Sequence, residues 1–311
     1  MTGRRAALVS AALFALLYAA SFVYWTRVVG GDGAETLFLS GLLGVAFPAI
    51  ALLLTLRLEP LGQRIAHRPG ALPALLLCLV PVCLFFALGS KGVFERIYPA
   101  AALEPLAGWA SLALKLTIFA LIPLAVFGWF LREPAGSFGW RPISRMLAPR
   151  QLLIILVFAA LFTAVQLFAG REGPKILSGG YPLSFLLAGA SLSFLWLAVE
   201  AGVVEEVFFR AVLQERLAAA MQSDVGGLLI ASLVFGLAHA PGLFLRGEFG
   251  ELGPLASAAY CVLTLAPSGL VFGVLWMRTR NLLALILIHG SVDAIPNMVE
   301  TAARFGFAPG G

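Results

Sequence analysis

The chain has 311 residues, 60% of them hydrophobic and 12% charged, with a mean hydropathy of +0.96. A water-soluble globular domain is about a quarter charged, so this composition excludes one and points to an integral membrane protein. The formal net charge of +5 comes from 21 basic and 16 acidic residues with no long run of either sign, which speaks against a nucleic-acid partner and for contact with lipid headgroups.

A helix needs about 20 mostly apolar residues to cross the hydrocarbon core. By that rule the expected spans, in chain order, are Ala6–Trp25, Thr36–Leu56, Ala71–Leu88, Trp109–Leu131, Gln151–Ala169, Pro182–Val204, Val225–Leu245, Ala256–Met277 and Leu282–Val299. The fold class expected is therefore all-α, a polytopic transmembrane helix bundle of about eight to nine spans. The first span follows Arg4 and Arg5, as a signal peptide's apolar region does, but it is too long for one and is expected to be a retained anchor. Cys78, Cys83 and Cys261 lie in apolar stretches without metal-ligand spacing and read as small core residues.

Alternating the loops places Arg4, Arg5, Arg57, Arg64, Arg68, Arg132, Arg141, Arg145, Arg150, Arg210, Arg216, Arg278 and Arg280 on one side. The other side holds Arg27, Lys91, Arg96, Arg171, Lys175, Arg246 and Arg304. The positive-inside rule then puts the N-terminus in the cytoplasm. Lys115, near the start of its span, is expected to snorkel to the interface. A soft boundary near residue 180 separates residues 1–180, helices of unassigned role whose spans carry little polar chemistry, from residues 181–311, which carry nearly all of it.

Ionisable side chains inside a bilayer are costly, and each is by default a functional hypothesis. Here they cluster in three segments: Glu200, Glu205, Glu206 and Arg210 at the end of the sixth span, His239 at the end of the seventh, and His289 with Asp293 in the ninth. The third histidine of the chain, His67, falls in an Arg-flanked loop and reads as solvated. Residues four apart share a helix face, so Glu206 pairs with Arg210 and leaves Glu205 free to point elsewhere. Phe235 and His239 share a face in the same way, as do His289 and Asp293. Gly226, Gly227 and Gly236 would let helices approach closely.

In these residues the chain resembles the CPBP family of intramembrane glutamic endopeptidases, which includes the type II CAAX prenyl endopeptidases and bacterial bacteriocin-processing relatives. The family pattern is Glu-Glu-x-x-x-Arg, then Phe-x-x-x-His, then His-x-x-x-Asn or Asp. It is met in order by Glu205-Glu206…Arg210, Phe235…His239 and His289…Asp293. The likeness covers roughly residues 185–300 and leaves the first five spans outside. It implies a protease core over residues 181–311 with Glu205, His239, His289 and Asp293 as catalytic residues, and with Glu206, Arg210 and Phe235 in support. Glu205 would act as general base on a water, His239 would orient that water and protonate the leaving amine, and His289 would stabilise the oxyanion. Asp293 would either donate to the oxyanion as a protonated acid or orient His289.

The resemblance implies no cofactor and no metal, and a substrate that is a membrane-embedded peptide or protein cut near its C-terminus. It also implies a multi-pass protein of a bacterial inner membrane. The competing readings are a zinc-dependent protease using Glu205, His239, His289 and Asp293 as ligands, a non-proteolytic immunity or scaffold protein, and a proton-coupled transporter. Against the first, no His-Glu-x-x-His sequence occurs; against the last, no inverted repeat is evident.

The spans also raise a difficulty of depth. If the sixth span ends at Val204, Glu205 lies at the cytoplasmic face while His239 lies about 20 Å along the next helix. A bent or re-entrant segment around Gly226 and Gly227 would reconcile them.

Overall fold

The computed structural model describes residues 3–62, 64–68, 70–88 and 104–307. The elements found there are helices: α1 (Gly3–Val29), α2 (Gly33–Leu54), α3 (Ala71–Leu88), α4 (Gly108–Phe130), α5 (Pro149–Ala169), α6 (Leu183–Met221), α7 (Asp224–Leu245), α8 (Gly253–Thr279), α9 (Leu282–Ala294) and α10 (Met298–Arg304). Seven are long and apolar enough to cross a membrane, and α9 with α10 makes an eighth if the pair is taken as one bent span. The protein is an integral, multi-pass helical bundle. Leu8, Leu16, Phe38, Leu53 and Leu77 stand exposed on its periphery, where lipid replaces water as the solvent for apolar side chains.

Each expected span has a helix, and two boundaries differ for physical reasons. The sixth does not stop at Val204 but runs on to Met221, because the charges beyond Val204 are paired inside the bundle. The ninth is not continuous to Val299: α9 and α10 meet at 95° around Pro296, a residue that cannot supply the N–H a straight helix needs. Gly226 and Gly227 sit in regular helix, so no re-entrant segment forms there. The interruption in α7 falls at His239, ahead of Pro241.

Depth is reconciled by the length of α6. Glu215 on α6 is ion-paired to Arg280, just ahead of α9, at 2.8 Å. Above that tie Glu205 meets both His239 and His289, whose Nε2 atoms lie 3.6 and 3.7 Å from its carboxylate, so the three stand at one depth.

Two tight hairpins hold the last four long helices in place. Gln222 and Arg280 end α6 and α8 in the left-handed region at φ 50° and 47°, closing the helices with a sharp reversal. The next helices are capped at once: the Ser223 hydroxyl accepts from Gly226 N at 3.0 Å, and Asn281 Oδ1 accepts from Ala284 N at 3.1 Å. Asn281 is fully buried, and its amide donates to Met146 O at 2.8 Å and Gln151 Oε1 at 3.0 Å, which ties α9 to α5.

Glycines set the helix spacing. A side chain at Gly227 would meet Ala218 N at 2.6 Å, one at Gly236 Cys261 O at 2.8 Å, one at Gly202 Ile286 O at 2.8 Å, and one at Gly290 Ala198 Cα at 3.0 Å. The first two were expected from the sequence. The last two are the ones that bring α6 and α9 together.

One end of the bundle gathers most of the arginines and is stitched across the chain. Arg141 Nε donates to Leu61 O at 2.6 Å, Arg278 Nη2 to Thr55 O at 2.7 Å, and Arg64 pairs with Asp224 at 2.5 Å. The buried Arg216 joins Glu133. His67 is exposed at this end. Arg210 does not belong to it, since its side chain is wholly buried within α6. Lys91 and Arg96 lie outside the described residues. Cys78 and Cys261 are buried as expected, whereas Cys83 is exposed.

Candidate active site

Around the glutamate pair α6 is wound as π-helix, over Ala198–Val203 and Glu206–Gln214. Such wide turns are rare and concentrate at functional sites. Glu205 lies between the two stretches and Glu206 opens the second.

Glu206 is completely buried and serves two partners. Its Oε1 accepts from His289 Nδ1 at 2.7 Å, and its Oε2 lies 3.2 Å from Arg210 Nε. The pairing with Arg210 is the one expected from the i, i+4 spacing; the grip on His289 was not. The Arg210 guanidinium stacks on the Phe235 ring at 4.7 Å and faces Phe272 at 5.9 Å. Phe235 is therefore a platform for the arginine, as well as the neighbour of His239 at 5.0 Å between ring centroids.

Glu205 points the other way. Its Oε1 lies 3.6 Å from His239 Nε2 and its Oε2 lies 3.7 Å from His289 Nε2. His239 Nδ1 donates to the Phe235 carbonyl at 2.8 Å. A carbonyl only accepts, so Nδ1 carries the hydrogen and Nε2 faces the carboxylate. His289 is held the same way round, with Nδ1 on Glu206. Two imidazoles are thus fixed by contacts on Nδ1, and both aim Nε2 at one carboxylate. The gaps of 3.6 and 3.7 Å exceed a direct hydrogen bond, and a water seated beside them would reach the carboxylate and both rings.

Asp293 Oδ2 lies 3.4 Å from His289 Nε2, so all four residues expected to be catalytic converge on one place. Asn297 Nδ2 donates to Asp293 O at 3.0 Å. Among the described residues, no group of three or more His, Cys, Asp or Glu side chains is arranged to hold a metal ion.

Two charged neighbours of the site have partners that the sequence did not reveal. Lys115 Nζ donates to Glu200 Oε1 at 2.8 Å. Glu200 also accepts from Trp196 Nε1 and lies 3.9 Å from Arg304. These partners come from α4 and α10 and are far apart in the chain, so no local spacing marks them. The one available signal was the cost of an unpaired lysine inside a span.

Residues 187–295 match the family model described as Type II CAAX prenyl endopeptidase Rce1-like. No curated protein and no solved structure matches the chain. The matched segment is CAAX protease-like and contains all three motifs, which supports a CAAX-type intramembrane protease.

Proposed function

We propose that the chain is a glutamic-type intramembrane endopeptidase, which hydrolyses a peptide bond near the C-terminus of a membrane-associated peptide or protein. One observation carries this reading: the two oxygens of Glu205 face the Nε2 atoms of two differently anchored imidazoles, at 3.6 and 3.7 Å.

A water lodged there is deprotonated by Glu205 as its oxygen attacks the scissile carbonyl carbon. The carbonyl oxygen becomes an oxyanion beside His289 and Asp293, where a donated hydrogen bond stabilises it. When the tetrahedral intermediate collapses, the C–N bond breaks. The proton taken up by Glu205 passes through His239 Nε2 to the leaving nitrogen, so acid and amine are released with the proton count balanced. Glu206 and Arg210 do no chemistry and hold His289 at the angle it needs. The arginine-rich end of the bundle is assigned to the cytoplasm on its charge.

The test is Glu205→Gln, assayed by comparing membrane-protein termini with and without the substitution. Loss of a general base lowers turnover by about 10²–10⁴, so the processed termini should disappear while the variant melts like the parent. Cleavage that persists in the folded variant refutes the reading.

A further inference from the structure

We propose that Glu200 is a positioning residue: tied to Lys115 of α4, it fixes the π-wound turn of α6 just ahead of the catalytic base and so aims Glu205 at His239 and His289. What Glu205 does there rests on the protease reading above; where it points does not.

The contacts of the Glu205 carboxylate are long. Its two oxygens stand 3.6 and 3.7 Å from His239 Nε2 and His289 Nε2, beyond hydrogen-bond length, so its direction is set by the backbone on either side. Beyond it that backbone is held one residue away, because Glu206 accepts from His289 Nδ1 at 2.7 Å and lies 3.2 Å from Arg210. Ahead of it lies the π-helix Ala198–Val203. This winding is rare and competes with the ordinary i→i+4 ladder, so the turn needs contacts that hold it.

Glu200 supplies them. Its carboxylate accepts from Lys115 Nζ at 2.8 Å and from Trp196 Nε1, and lies 3.9 Å from Arg304 Nη1. These partners belong to α4, α6 and α10, so one carboxylate joins the turn to all three. Ala198 and Gly202, two residues to either side of Glu200, turn toward α9: a side chain at Gly202 would meet Ile286 O at 2.8 Å, and one at Gly290 would meet Ala198 Cα at 3.0 Å. The turn is thus pressed on the helix that carries His289. Helix α4 then backs α6 on both sides of the base, through Lys115 on Glu200 before it and through the buried Phe119 on Phe208 after it, at 5.8 Å between ring centroids.

An ion pair that merely neutralised a lysine inside the membrane would need one carboxylate at any height on α6. This one gathers a second cation and an indole N–H onto the single turn that precedes the base. A displacement of about 1 Å at a reacting group costs roughly 100-fold in rate, so slack in this turn is enough to disable Glu205 without unfolding the bundle.

The experiment uses the full-length protein in detergent with its histidines labelled with ¹⁵N. The chain has three, His67, His239 and His289, and the exposed His67 serves as internal reference. In Lys115→Met the Nε2 resonances of His239 and His289 should shift, while His289 Nδ1 on Glu206 and both nitrogens of His67 stay in place. Cleavage at the termini that depend on Glu205 should slow by about 10–100-fold in a variant that melts like the parent. Lys115→Arg keeps the cation and should restore both resonances and rate. Glu200→Leu, which removes every contact of the carboxylate, should reproduce the effect. The two variants change charge in opposite senses, so a mere field effect would move the resonances in opposite directions, whereas loss of position moves them alike. Opposite shifts, unmoved Nε2 resonances or a parent rate of cleavage in either variant would overturn the proposal. So would a fall in melting temperature with loss of the His289 Nδ1 signal, which marks a tie for the bundle as a whole. If cleavage ignores Glu205 the protease reading falls alone, and the resonances still decide whether Glu200 aims Glu205.

Discussion

Replacing Arg210 with methionine tests the buried charge network most directly. Arg210 and Glu206 are both wholly inaccessible, 3.2 Å apart, and no water can take over the role of the missing cation. Methionine fills much of the space against Phe235 and Phe272, so the loss is chiefly electrostatic. Breaking a buried pair by removing one partner costs about 3–5 kcal/mol, and the lost contact over the Phe235 ring adds about 0.5–2 kcal/mol. At about 2–4 °C per kcal/mol for a large domain, the melting temperature in detergent should fall by at least about 7 °C. The double variant Glu206→Gln with Arg210→Met removes both charges while the glutamine oxygen still accepts from His289 Nδ1. It should recover most of that loss, because replacing a buried pair altogether is often close to neutral. A single variant that melts with the parent, or a double variant no better than the single, would show that the pair is not what holds this part of α6.

Three further outcomes follow from the same geometry. Asp293→Asn should keep most of the activity: His289 is already oriented by Glu206 at 2.7 Å, so the charge of Asp293 is dispensable and an amide donor suffices for the oxyanion; collapse of turnover at every pH in a folded variant would contradict this. Gly290→Val should abolish activity, since the new side chain would meet the Ala198 backbone at 3.0 Å and push α9 away from Glu206, with an overpacking cost of about 1–3 kcal/mol; unchanged turnover would mean that α6 and α9 yield freely. Strong chelators should leave hydrolysis intact, and loss of activity restored by added zinc would instead favour a metal-dependent mechanism.

Most of the fold is legible because a bilayer imposes a length. Any apolar run of about 20 residues announces a span, and each of the nine runs has a helix. What hydropathy cannot tell is whether a charge marks the end of a helix or a paired group within it. Glu205, Glu206 and Arg210 look like an interface in the sequence, yet α6 continues to Met221 because Arg210 and Glu206 neutralise each other in the core. The pairing of Lys115 is hidden for a related reason: its partner Glu200 is 85 residues away, and nothing local announces it. The close approach of α6 and α9 at Gly202 and Gly290 is equally hard to read, since a glycine's contact lies on another helix.

The adjacency of the two glutamates gains a physical meaning from the winding of α6. Identical side chains one residue apart could not share a partner on one helix face, but His289 stands between them and has two nitrogens. Glu206 takes Nδ1, which fixes the ring plane and leaves Nε2 on the side of Glu205. A carboxylate has two oxygens, and the second oxygen of Glu206 is held by Arg210, so the arginine acts on His289 through Glu206. The second oxygen of Glu205 has no cation of its own and faces His239 instead. One carboxylate is therefore held at both oxygens, by His289 and by Arg210, while the other faces an imidazole Nε2 at each oxygen beyond hydrogen-bond length. The same residue type serves as a strut and as a base because its neighbours differ, and that difference is invisible in the pair Glu205-Glu206 itself.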